Sequence, residues 1–269
     1  MSSDTTHFVG DIPQFYDRCL GPVLFQGYAE DLVRRAVLRA PRNVLEVAAG
    51  TGVVTRLLRD RLHAQANLTA SDLNAPMLEA ARQKFAPDES VNFEVADALA
   101  LPFADQTFDC VVCQFGLMFF PDKPAALREA RRVLKPHGRY LFSVWDSPRY
   151  NPFSRIGLEV VDRLFSYDPP KFLETPFSCS EIDPIKEALI AAGFSNLSIS
   201  VLSRVQKVDD VEAFARGLVF GNPMIDQIRA RGRVAADVVV ESLAEALAAE
   251  FGSPAHLPMQ AIVFDAARA

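Results

Sequence analysis

Five stretches of the chain, about 43–48, 67–72, 91–96, 108–114 and 139–145, are short apolar runs with few polar breaks. That is the pattern of strands covered on both faces. Between them, residues 52–62, 75–85 and 122–134 carry apolar positions at helical spacing. Pro76 opens the second of these helices, where a missing N–H is tolerated, and Lys135-Pro136-His137-Gly138 closes the third. An earlier helix is predicted over 28–39, with Ala29, Leu32, Val33, Ala36 and Val37 on one face and Pro41 and Asn43 beyond its end. Later come a helix over 181–192, closed by Gly193 as an expected C′ glycine, a strand near 196–205 and a last strand near 259–265. Strands alternating with helices predict a mostly parallel sheet with helices on both faces.

Three segments stand outside this alternation: residues 1–27, 146–180 and 207–257. The second is rich in proline and aromatics, including Phe153, Phe165 and Phe172, and the third reads as largely helical, over Val211–Val219 and Ala235–Ala249. In an open α/β sheet, ligands bind beyond the carboxyl ends of the strands. Segment 146–180 leaves the fifth strand at that edge, and segment 207–257 also attaches there if the last strand runs antiparallel. Both are placed to cap a substrate site.

Composition narrows the class. With 269 residues and 49% hydrophobic content, the chain can bury one large domain. Net charge is −6 and there is no basic run, so the footprint expected of a nucleic-acid binder is missing. The apolar stretches are too short to span a membrane, and the first residues lack a signal-peptide pattern, which gives a cytoplasmic expectation. Cys110 and Cys113 have CxxC spacing, but residues three apart on a strand point to opposite faces and cannot share a metal ion. They read as buried small hydrophobes, and no metal is expected.

The chemistry is concentrated in VLEVAAGTG, residues 44–52, with Asp72 twenty positions after Gly52. A strand, a small-residue turn and a helix form the first half of a nucleotide-binding βαβ unit, and an acid ending the next strand can accept from both hydroxyls of a ribose. A dinucleotide site needs a third glycine to admit a pyrophosphate, whereas here Gly52 is followed by Val53, Val54 and Thr55. Glu46 precedes the turn instead, which suits a ligand with a cationic amine and no phosphate; S-adenosylmethionine has that make-up. Further on, Asp97 falls past the third strand, where its carboxylate can accept from an adenine amino group or cap a turn, and Ala98 is small enough to lie against the ring. Gln114 and Phe115 fall at the end of the fourth strand, with Phe115 positioned to line the methyl channel, while Phe119 and Phe120 read as packing residues. Trp145 is either a pocket wall or core.

VLEVAAGTG, SDLNAPML, VADALALPF, FDCVVCQFGLMFF and REARRVLKPHGRYLFSVW occur in the order and spacing of class I S-adenosylmethionine-dependent methyltransferases, and the chain most resembles the subgroup related to ubiquinone/menaquinone-biosynthesis methyltransferases. Ala48 stands where that motif usually has its first glycine. The resemblance implies a Rossmann-like, mostly parallel seven-stranded sheet with helices on both faces and the last strand antiparallel, carrying a helical and aromatic substrate cap. It divides a single domain into an N-terminal helical segment, 1–41, a cofactor-binding core, 42–146, cap insertions 147–180 and 207–257, and the end of the sheet, 181–206 and 258–269. It further implies that Glu46, Ala48, Gly50 and Gly52 hold the methionine part, that Asp72 and Leu73 hold the ribose and one adenine face, and that Asp97 and Ala98 hold the adenine. Tyr16 is its candidate for the tyrosine near the methionine end.

The functional expectation is methyl transfer from S-adenosylmethionine, with S-adenosylhomocysteine as product, to a small apolar or aromatic acceptor. A sulfonium methyl is already activated, so in-line displacement needs alignment and exclusion of water rather than a metal. No catalytic base is assigned. His63 and His137 fall at the wrong sheet edge, whereas His7 and His256 lie in segments that could reach the site. Two other readings are a nicotinamide-dependent oxidoreductase, opposed by the missing glycine and by Glu46, and a non-catalytic S-adenosylmethionine-binding protein.

Overall fold

The computed structural model describes residues 6–268. The helix predicted over 28–39 does not begin the folded chain. Helix α1 (Ile12–Phe15) runs into a π-helix, Tyr16–Phe25, and then into α2 (Gln26–Val37). The N–H of Gln26 donates to the carbonyl of Gly21, five residues back, and Pro22 sits within the widened turns. No apolar periodicity marks a π-helix, and such segments are commonly found at functional sites.

The alternating core follows. It comprises β1 (Asn43–Val47), α3 (Val53–Arg61), β2 (Asn67–Asp72), α4 (Ala75–Arg82), β3 (Asn92–Val95), β4 (Phe108–Gln114), α5 (Lys123–Val133) and β5 (Leu134–Trp145). The turn expected at 135–138 is a bulge inside β5. Leu134 pairs with Phe108 and Arg139 with Cys110, so the four residues between them oppose Asp109 alone, and His137 takes φ +65°. After β5 come α6 (Pro152–Leu164), α7 (Ile182–Ala191), β6 (Phe194–Val208), α8 (Val211–Phe220), α9 (Met224–Arg231), α10 (Ala236–Phe251) and β7 (Ala255–Arg268). Gly193, at φ +89°, supplies the left-handed exit from α7.

The seven strands lie in the order β3-β2-β1-β4-β5-β7-β6. β1 to β5 are parallel and β7 is antiparallel to both its neighbours. This is a Rossmann-like sheet with the reversed last strand that the sequence implied. Both final strands are longer than their apolar patterns suggested. β5 ends opposite Ala261, yet β6 and β7 stay paired through Val208 and Ala255. The two-stranded ribbon so formed projects past the carboxyl edge of the parallel strands and carries α8, α9 and α10 there.

Side-chain alternation along the strands builds two layers. Val44, Cys110, Val112 and Leu141 face Leu32, Val33 and Leu58 of α2 and α3. Leu45, Val111, Cys113 and Phe142 face the other way, into a core shared with α5 and with the cap residues Phe153, Phe172, Val239 and Leu243. Cys110 and Cys113 thus belong to opposite layers and cannot meet. The cap is continuous with the sheet's own core, so it should unfold with the sheet. Leu243→Ala in α10 and Leu58→Ala in α3 each empty a fully buried site, and each should cost about 2–5 kcal/mol. Denaturant unfolding should show one shared transition for both variants; a separate early transition in Leu243→Ala would make the cap an independent unit.

Candidate functional site

A cleft of about 510 Å³ opens where β1, β2, β3 and β4 end. It lies at the carboxyl edge, where a parallel sheet presents its loops. Its wall after β1 is the small-residue turn. Ala48 and Gly50 both take left-handed backbone, φ +55° and +56°, and both line the cleft. Gly52, at φ +81°, lines neither this cleft nor the recess beside it. A Cβ on Gly52 would lie 2.8 Å from the Cβ of Ala81, so this glycine lets the turn pack on α4. Gly52 thus shapes the turn from behind.

Asp72 ends β2 at the cleft wall. One carboxylate oxygen accepts from the N–H of Gly50 (2.9 Å) and the other from the N–H of Asn74 (2.8 Å). Burial pushes its carboxyl up, and the bonds from Asn74 and Gly50 oppose that shift. Oδ1 also takes a longer bond from the Asn74 side-chain amide (3.4 Å), whereas Oδ2, which accepts from Gly50, keeps acceptor capacity for a hydroxyl. Leu73 beside it is 53% exposed, an apolar side chain left uncovered at the cleft. Asp97 and Ala98 line the far end, and Asp97 also caps its own turn by accepting from the N–H of Leu99 (2.9 Å). Asp97 thus lines the cleft while also capping its own turn.

Glu46 lies off the main cleft, on a side recess of about 30 Å³ shared with Tyr16, Gly50, Thr51 and Gln114. Its carboxylate accepts from Thr55 Oγ1 at 2.5 Å. Burial pushes it up to about 8, with the Asp72 charge adding and the Thr55 bond opposing. Two more side-chain oxygens on the recess, Thr51 Oγ1 and Gln114 Oε1, are buried without a partner. Gln114 is held by donation from Nε2 to the carbonyl of Phe25 in the π-helix (3.2 Å). Three acceptors around one small recess fit a cationic amine, which would satisfy all of them.

Beyond the cleft is a smaller apolar chamber of about 70 Å³. Phe8, Tyr16, Phe115 and Phe119 form the wall common to both. Tyr16 alone lines cleft, recess and chamber, and its phenol is pushed up by burial and by the carboxylates of Asp72 and Asp17. Phe115, at φ +51°, stacks on Trp145 with centroids 4.0 Å apart and planes 4° apart. Trp145 is both core and chamber wall. Phe119, read from sequence as packing, lines both cavities and stacks on Phe172 (6.1 Å). Phe120 lines the cleft as well. Phe153 and Phe172 face the chamber, whereas Phe165 is buried elsewhere.

None of the four histidines lines the cleft, recess or chamber. His7 and His256 are exposed, and His256 sits on β7 opposite Lys207. Among the described residues the chamber lining contains no acid, histidine, lysine or arginine. Sequence reasoning missed Phe8, whose N–H donates to Asn74 Oδ1 (3.2 Å), and it missed Thr51. Thr51 stood inside the motif and could have been noticed as a hydroxyl beside Glu46. Phe8 carries no local signal.

A sheet of this order, with an acid-ended β2, a glycine turn at the carboxyl edge and a recess lined by acceptors, defines the S-adenosylmethionine-dependent methyltransferase class. A family profile described as a methyltransferase domain matches residues 45–142. The ubiquinone/menaquinone biosynthesis C-methyltransferase UbiE of Pasteurella multocida is 34% identical over 184 residues, which cover 62% of this chain and 67% of that protein. Its counterpart in Yersinia enterocolitica is 31% identical, over 62% and 71% of the two chains. Alignments with curated relatives span from 47% to 83% of their lengths. Among solved structures, YcgJ of Bacillus subtilis superposes with a TM-score of 0.59 at 21% identity, over 90% of this chain and 98% of that one. A phosphoethanolamine N-methyltransferase of Haemonchus contortus bound to S-adenosyl-L-methionine gives 0.61 at 16%, over 100% and 60%. At such identities these likenesses speak for the fold. The chain belongs to the methyltransferase family of the ubiquinone/menaquinone biosynthesis C-methyltransferases. It is an S-adenosylmethionine-dependent methyltransferase, and the nicotinamide reading is not favoured.

The turn itself yields a stability prediction. A non-glycine residue in left-handed backbone costs roughly 1–2 kcal/mol, which glycine avoids. Ala48→Gly should raise stability by about 1 kcal/mol. Gly52→Ala should lower it by about 1–3 kcal/mol, because the new Cβ meets Ala81. Equal unfolding free energies for the three proteins would contradict this account of the turn.

Proposed function

We propose that the chain moves the methyl group of S-adenosylmethionine onto a small apolar or aromatic acceptor held in the aromatic chamber, by in-line displacement. The observation that carries this reading is the wall of Phe8, Tyr16, Phe115 and Phe119 common to cleft and chamber. A methyl donor on one side of it and an acceptor on the other would meet at Tyr16. The names of the relatives, which concern quinone biosynthesis, agree with an apolar ring as acceptor. In this reading residues 42–146 select the cofactor, while the N-terminal segment and the two cap segments select the acceptor.

The residues divide the work. Asp72 accepts from the ribose hydroxyls, Leu73 and Ala98 cover the faces of the adenine, and Asp97 takes its amino group. Glu46, Thr51 and Gln114 surround the amine, and Gly50 leaves room for the tail. When bound, the cofactor supplies a sulfonium methyl that is activated without a metal. The protein aligns the acceptor and excludes water. Among the described residues the chamber lining holds no carboxylate, histidine or lysine, which supports an acceptor that brings its own nucleophilicity.

Two measurements test the cofactor site. Asp72→Ala leaves the hydroxyls poorly paired, a loss of about 1.5–3 kcal/mol. Affinity for S-adenosylhomocysteine should fall roughly tenfold to a hundredfold, and unchanged calorimetric affinity in a folded variant would remove Asp72 from the site. The second measurement concerns Glu46. With its carboxyl near 8, it is mostly protonated at pH 7 in the free protein. An ammonium beside it favours the carboxylate, so binding at pH 7 should release a proton and affinity should rise as pH climbs toward 8. Calorimetry in buffers of different ionisation enthalpy should show proton release that Glu46→Gln diminishes; no release in the wild type would refute the amine recess. Turnover itself is tested by formation of S-adenosylhomocysteine across a panel of phenols, hydroquinones and apolar amines. Binding of the cofactor with no product from any of them would favour the non-catalytic reading.

A further inference from the structure

A recess of about 810 Å³ lies at the opposite sheet edge from the cleft. It is bounded by the end of α2, the entry to β1, the start of β4 and the bulge of β5. Six cations line it: Arg34, Arg35, Arg39, Arg42, Lys135 and Arg139. In a chain of net charge −6, this concentration is local and of the wrong sign for the whole. The carboxylates nearby are already engaged. Asp31 takes Arg34 and Arg35 at 2.5 and 2.6 Å. Asp109 accepts from the N–H groups of Arg42 and Asn43 (2.9 and 2.7 Å) and from Lys135 (2.8 Å), and Asp265 takes Arg139. Six cations against three carboxylates leave three positive charges in excess.

Arg34 and Arg35 occupy the last turn of α2, where cations complement the helix carbonyls. That account does not extend to Arg39 and Arg42, which lie past the helix end. Among the described residues neither guanidinium has a carboxylate within ion-pair distance. Both are exposed, so folding gains little from them. A recess of nucleotide size, rimmed by guanidinium groups without partners, suits an anion with several phosphate oxygens.

We propose that this recess binds a phosphorylated small molecule carrying at least two anionic phosphoryl groups, held chiefly by Arg39 and Arg42. Its concavity favours a compact soluble anion over a bilayer, which meets a protein on a flat face. Nucleic acid would need a basic stripe longer than one recess. The cleft at the other edge carries Asp72 and Asp97 and suits the opposite charge, so the two ligands would not compete.

The test uses the full chain saturated with S-adenosylhomocysteine, so that the cofactor cleft is filled. Calorimetric titration with inorganic pyrophosphate at low ionic strength should give one site per chain, weakening steeply as salt is added. Arg39→Gln/Arg42→Gln should bind pyrophosphate about tenfold more weakly or worse. Its melting temperature and its affinity for S-adenosylhomocysteine should match the wild type. Absence of pyrophosphate binding, or equal binding by the variant, overturns the proposal. So does a variant that loses melting temperature together with pyrophosphate, because the arginines would then be structural. Arginine-dependent binding to phosphatidylglycerol vesicles without pyrophosphate binding would assign the recess to a membrane surface instead.

Discussion

One carboxylate joins the two loops on which the cofactor cleft depends. Asp72 receives the N–H of Gly50 from the turn after β1 and the N–H of Asn74 from the loop after β2. Without an anion between them, two half-buried donors would lose their acceptors, and the left-handed turn would lose its tie to the loop after β2. The same carboxylate raises the proton affinity of Glu46 and Tyr16. The position therefore fixes both the shape of the cleft and its charge. Two buried acids that share cavity walls with a phenol form an environment that favours a cation, and the partnerless oxygens of Thr51 and Gln114 extend it.

What sequence could reveal here is what backbone geometry demands locally. The run from Val44 to Gly52 shows a strand, a turn that needs positive φ at Gly50 and Gly52, and a helix start. Asp72 is legible because strand length sets where an acid can meet that turn. The mostly parallel sheet was legible from the alternation and the reversed last strand from the family resemblance, whereas the strand order itself was not read from the sequence. The role of Gly52 was not legible, because its reason is Ala81 on another helix. The π-helix was hidden for the same kind of reason. It is pinned from outside, by Gln114 on the carbonyl of Phe25, and no internal period betrays it. The chamber draws Phe8, Leu24, Phe172 and Leu218 from segments nearly the whole chain apart. A hydrophobic pattern says that such residues are buried and is silent on which of them touch.

The aromatic wall is rigid for identifiable reasons. Phe115 is held by its own N–H on the carbonyl of Ser143 and by the face of Trp145. Tyr28 closes on both rings edge-on. Stacked and edge-on aromatic pairs of this kind contribute about 0.5–1.5 kcal/mol each beyond the area they bury. The sheet thus fixes the Phe115 part of the boundary, through β4 and β5, while the N-terminal segment supplies Phe8 and the π-helix supplies Tyr16.

The β6–β7 ribbon gives this protein a particular kind of modularity. Helices α8 to α10 leave and rejoin the sheet through two adjacent antiparallel strands, so the chain between Val208 and Ala255 enters and exits at neighbouring points. Such an excursion can change length or sequence while the closure entropy changes only slowly. The catalytic platform on β1 to β4 need not register the change. The shared core still sets a limit, since any replacement must offer apolar side chains where Val239, Val240 and Leu243 now meet the sheet layer. An exchanged bundle that keeps this apolar underside would change the chamber wall at Leu218 and Asn222 while leaving Asp72 and the turn after β1 untouched.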